Sequence, residues 1–153
     1  MRVLIDANLL LRSAQPQHPQ HGIAHDALLQ LKTNGHELII VPQVIYEFWV
    51  VATRPVEVNG LGFSAEQAEA KTAVNLGLYS LYRDDEFLFD VWRRLVNLHR
   101  VIGKLAHDAR LVAAMVRHGA THLLTFNEQD FARFSEIAVI APSAAGAFPS
   151  ASA

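Results

Sequence analysis

Residues 37–54 read ELIIVPQVIYEFWVVATR. The run closing at Val41 is short and continuously apolar, the pattern of a strand covered on both faces. Pro42 then stands where a helix can begin, since the first helical position needs no N–H. That helix runs to about Arg54, and Arg54-Pro55 stops it. A buried strand followed at once by a helix is one unit of a parallel α/β sheet.

Similar units appear outward from this stretch. Arg2 to Ile5 is a second continuously apolar run, and residues 21–34 form a helix ended by Asn34-Gly35. Beyond a loop at 56–62, Ser64-Ala65-Glu66-Gln67 opens a helix in the capping-box pattern. Tyr79 to Arg83 is a short strand, with helices at 85–99 and about 105–118, the latter ended by Gly119. His122 to Thr125 is a strand, Asn127 to Phe134 a short helix, and Ile137 to Ile140 the last strand. The expected fold class is α/β, a sandwich with a mainly parallel central sheet. The low-complexity tail at 143–153, rich in Ala, Ser, Pro and Gly, is expected to add little to the core.

The 153 residues suit one domain, with 51% apolar and 18% charged residues. No apolar stretch reaches the ~18 residues of a membrane span, and MRVLIDANLLL lacks the order of a signal peptide. The chain has no cysteine, so no disulfide framework marks an oxidising compartment, and a cytoplasmic location is the default. A net charge of -2 argues against extended nonspecific nucleic-acid binding but leaves room for a local basic rim.

The informative residues are carboxylates in apolar surroundings. Asp6 directly follows the first strand, where parallel sheets collect their ligands, although an N-cap also explains it. Glu47 sits in a helix that is apolar nearly all round, which requires either a metal or a cationic partner such as Arg54. Asp108 lies against the apolar stripe of KLAHDARLVAAMV, with Lys104 four residues earlier as its ordinary ion-pair partner. Asp130 comes three residues after Asn127, a natural N-cap, and the helix dipole alone favours an acid there.

Each acid follows a strand or lies on a helix near one, so all four can meet at one sheet edge. Gathered without counter-charge at ~5 Å, they would repel by about 3 kcal/mol per pair at an effective dielectric near 20. A hard divalent cation makes such a cluster intelligible, and all-oxygen ligands favour magnesium or manganese over zinc. Of eight histidines, His18, His21 and His25 fall close together, but without the fixed spacing of a zinc site.

The stretches VLIDANLLL, VPQVIYEFWVVATRP, GKLAHDARLVAAMVRHG and HLLTFNEQDF with its following AP resemble the PIN-domain family, in particular VapC-like toxins. In that family's order they cover most of residues 1–142, taken as the PIN domain with its α/β/α sandwich. The resemblance implies that Asp6, Glu47, Asp108 and Asp130 are catalytic and hold Mg²⁺ or Mn²⁺. Many members carry an acid where this chain has Asn127; the departure leaves open whether Asn127 supplies a neutral oxygen or a cap, and favours Asp130 as the fourth acid. Asn8 and Thr125 match polar positions beside the cluster. The implied activity is an endoribonuclease that activates water for in-line attack and leaves a 5′-phosphate and a 3′-hydroxyl. Arg12, Arg54 and Lys104 are the candidates for an RNA-binding rim.

The implied partners are an RNA substrate, a cognate antitoxin and a second copy of the chain. Val44–Ala52 and residues 85–99 each carry more apolar side chains than one buried face needs, so an exposed patch is expected around Phe48, Trp49 and Trp92. The alternative function is a catalytically idle PIN domain that binds RNA or protein. A haloacid-dehalogenase-like phosphatase would need an aspartate where Asn8 stands, and a receiver domain would need paired acids near the first strand.

Overall fold

The computed structural model describes residues 1–152. Five strands, β1 (Arg2–Ile5), β2 (Glu37–Ile40), β3 (Ser80–Leu81), β4 (His122–Leu124) and β5 (Ala138–Ile140), form one sheet in the order β3-β2-β1-β4-β5. Every pairing is parallel. Val3, Leu4 and Ile5 of the central strand are fully buried, as the continuous apolar run requires.

Between the strands run α1 (Ala7–Ser13), α2 (His21–Thr33), α3 (Pro42–Thr53), α4 (Ala65–Leu78), α5 (Leu88–Leu98), α6 (Leu105–His118) and α7 (Glu128–Phe131). They pack in two groups, α1 with α2 and α3 and then α3 with α4, and separately α6 with α5 and α7. The result is the α/β/α sandwich. Among the described residues no helix is long and apolar enough to cross a membrane.

Local chemistry sets the element ends. The Ser64 capping box forms as expected, with Gln67 N donating to Ser64 Oγ and Ser64 N to Gln67 Oε1. Gly35 and Gly119 adopt φ of 81° and 67°, turning the chain out of α2 and α6 into β2 and β4. Helix α1, which no apolar period announces in the sequence, is capped by Asp6, whose Oδ1 accepts from Ala7 N at 2.7 Å.

The chain grows from β1 through β2 to β3, then returns to the other side of β1 to lay down β4 and β5. The carboxyl ends of β1 and β4 therefore flank the point where strand order reverses, the usual ligand crevice of open parallel sheets.

The expectation for the tail is corrected. Pro142–Ala147 forms a 3₁₀ helix that packs on α2, with Pro142 and Ala145 buried. Phe148 meets the rings of His36 and His122 at 5.3 and 5.1 Å between centroids. Asn34 Nδ2 donates to Phe148 O, and His36 Nε2 to Pro149 O at 2.8 Å. Low complexity hid this docking, because small residues pack where a helix approaches closely.

Candidate active site

The site begins with Asp6, which is only 6% exposed. Its Oδ2 accepts from Thr125 Oγ1 at 2.6 Å and from Asn8 Nδ2 at 3.0 Å. Thr125 follows β4, so this bond joins the ends of the two strands that flank the reversal. Asn8 Nδ2 also reaches Thr125 Oγ1, and Asn8 Oδ1 accepts from Phe126 N. Thr125 Oγ1 accepts from Asn127 N as well. Asn127 occupies the N-cap position of α7, but its own side chain makes no capping bond.

Burial pushes the Asp6 carboxyl up to about 6 from its ordinary 3.8. The Thr125 and Ala7 hydrogen bonds oppose the rise, and the charges of Glu47 and Asp108 add to it. Asp108 is raised too, first by burial, then by Asp130 and Glu47, with His107 and Lys104 opposing. Asp6 thus feels the charges of Glu47 and Asp108, and Asp108 those of Asp130 and Glu47.

A cavity of about 420 Å³ opens above these strand ends. Asp6, Glu47, Asp108 and Asp130 all line it, together with Asn8, Arg54 and Asn127. Tyr46, Val50 and Leu111 supply apolar wall. Four acids from a strand end and three helices therefore face one space. Among the described residues no three of them are yet close enough to hold an ion between them. Like charges repel one another, which favours their standing apart. The donors lining the space are oxygens, without cysteine or histidine, which fits a hard cation.

The cationic partners offered by the sequence do not pair with the acids. Arg54 lines the cavity without an ion pair to Glu47, and Lys104 lies near enough to influence Asp108 without contacting it. Arg12 lies off the cavity, bonded to Gln15 and Gln20.

Gln43 touches the site through Glu47, and Arg110 backs it through Gln43. Gln43 Nε2 donates to Glu47 Oε1 at 2.9 Å, and Gln43 Oε1 accepts from Arg110 Nη1 at 2.8 Å. A glutamine four residues before an acid on an apolar helix was the available signal for the first contact. The Arg110 contact joins helices 67 residues apart and left no local trace.

Similar solved structures share this architecture. VapBC2 from Rickettsia felis, solved with a promoter DNA fragment, matches with a TM-score of 0.70 at 15% identity, over 92% of this chain and 98% of that one. VapBC-1 from nontypeable Haemophilus influenzae matches at 0.69 and 12% identity, over 94% and 99%. VapC20 from Mycobacterium tuberculosis, described as a toxin that cleaves the sarcin–ricin loop, matches at 0.63 and 18%, over 89% and 98%. No curated protein matches by sequence. The PIN domain family matches residues 3–137, a span that holds every residue of the cavity. The chain belongs to the PIN-domain family.

Proposed function

We propose that the chain is a Mg²⁺- or Mn²⁺-dependent endoribonuclease acting as the toxin of a toxin–antitoxin pair. The observation that carries this reading is the meeting of four acids in one cavity at the strand reversal, with the innermost, Asp6, raised to about 6. Such a group is costly to keep ionised without a cation. In this reading Asp6, Glu47, Asp108 and Asp130 hold the metal, Thr125 and Asn8 orient Asp6, and Arg54 meets the phosphate backbone. The bound cation supplies water activation and offsets charge on the scissile phosphate. The apolar wall narrows water access beside the acids. The solved toxin–antitoxin complexes of the same fold support an antitoxin as partner, and exposed Phe87 and Phe89 on the α5 side support a homodimer.

An idle PIN domain used as a binding module is favoured by one observation, that no three acids stand at ligating distance. A cleavage assay separates the two. With millimolar Mg²⁺ or Mn²⁺ the protein is expected to cut RNA to 5′-phosphate and 3′-hydroxyl ends, and Asp108→Asn to lose more than the ~10–100-fold in rate that loss of an outer-shell partner costs at a metal site. Equal rates for the two proteins, or no metal dependence, would sink the nuclease reading.

A further inference from the structure

Gln43 is buried, at 6% exposure, one helical turn before Glu47. All of its amide's polar atoms are engaged. Nε2 donates to Glu47 Oε1 and to the His107 carbonyl, both at 2.9 Å, and Oε1 accepts from Arg110 Nη1. The other nitrogen of the same guanidinium, Nη2, binds Asp84 Oδ2 at 2.6 Å. Chemistry fixes the amide's orientation. A guanidinium only donates, so the atom facing it is oxygen, and a carboxylate and a carbonyl only accept, so the atom facing them is nitrogen.

We propose that Gln43 is a positioning residue, whose amide, set by Arg110, holds the Glu47 carboxylate in the cleft at a fixed spacing from Asp108 for a divalent cation. The role rests on the reading of the four acids as metal ligands. His107 directly precedes Asp108, so one amide ties the Glu47 side chain to the backbone that carries the second acid. Glutamate is a long side chain, and an untethered Glu47 would swing away from its like-charged neighbours. Holding it moves the ordering cost from metal binding to folding. A neutral amide does this without placing a full positive charge on the carboxylate, where it would compete with the cation. Arg110 steadies the amide from behind.

The test is Mn²⁺ affinity by calorimetry on the full chain, for wild type, Gln43→Met, Glu47→Gln and the double variant. Methionine keeps the volume and removes the hydrogen bonds. Gln43→Met is expected to weaken Mn²⁺ binding about tenfold, as loss of an outer-shell partner does. In the Glu47→Gln background it should change affinity by less than about twofold, because its effect acts through Glu47. Wild-type affinity in a folded Gln43→Met protein, or the same loss in both backgrounds, would overturn the role. If Gln43→Met does not fold, the half-exposed Arg110→Lys enters the same cycle. A loss above about twofold only when Glu47 is present supports the role, and no loss overturns it. A wild type that binds no Mn²⁺ overturns the metal reading and this role together, whereas binding that ignores Gln43 overturns the role alone.

Discussion

Asp6 carries opposing demands, since it caps α1, anchors the Thr125 hydroxyl and remains a buried charge. Its folded pKa lies near 6 against an ordinary 3.8, so ionisation is disfavoured in the folded state. That cost is present above about pH 6 and fades as pH falls toward 4, reaching on the order of 3 kcal/mol at ~1.4 kcal/mol per pH unit. Asp6→Asn removes it and keeps a good N-cap, but its amide nitrogen in place of Oδ2 sacrifices the two hydrogen bonds from Thr125 and Asn8, worth ~1 kcal/mol each. The metal-free variant should therefore melt roughly 2–4 °C above wild type at pH 7.5, with the gap closing at about pH 5. Millimolar Mg²⁺ should reverse the order, since it stabilises only the chain that binds it. A thermal scan in which Asp6→Asn is the less stable protein at pH 7.5 without metal would remove the electrostatic argument. At this scale Glu47 and Asp108 stood out because a carboxylate in an apolar run has few explanations. Asp6 and Asp130 also read as ordinary helix-terminal acids until the fold set all four along one cavity. Arg110 was not legible, because its partners come from other elements.

Elements were legible wherever apolar period and punctuation agreed, as in β1, β2, α3 and α6. The expected strand at 79–83 shrinks to Ser80–Leu81, and the helix placed at 85–99 starts at Leu88. There Asp85 Oδ1 accepts from Phe87 N and holds the preceding turn. The tail shows the limit of composition as a guide. Its contribution comes from Phe148 between two histidine rings and from carbonyls that Asn34 and His36 bind, and all of these contacts but the one with His122 span more than a hundred residues of sequence. Phe148→Ala should cost about 1–2 kcal/mol through lost burial and ring contacts. Denaturant unfolding measures it, and an unchanged midpoint would mean that the tail is only draped on the surface.

Across the whole molecule, the apolar excess of α3 and α5 lies elsewhere than the sequence placed it. Phe48 is fully buried, and Trp49 and Trp92 are half-buried against the core, so they do not form the exposed patch. Tyr46 and Val50 are exposed on α3, and Phe87, Phe89, Leu98 and Ile102 on or beside α5. A helix pattern marks too many apolar side chains but not which of them the fold covers. We expect light scattering to give a dimer at micromolar concentration and Phe89→Glu to shift it toward monomer. A wild type that stays monomeric would defeat the dimer. The acids of α3, α6 and α7 are expected to close with Asp6 on one cation, and anomalous diffraction from crystals grown with Mn²⁺ reads this out. A peak is expected in the cavity, within roughly 2–2.5 Å of carboxylate oxygens from Asp6 and at least one other of the four. A cavity without a peak at saturating Mn²⁺, or a peak bound away from Asp6, would contradict it.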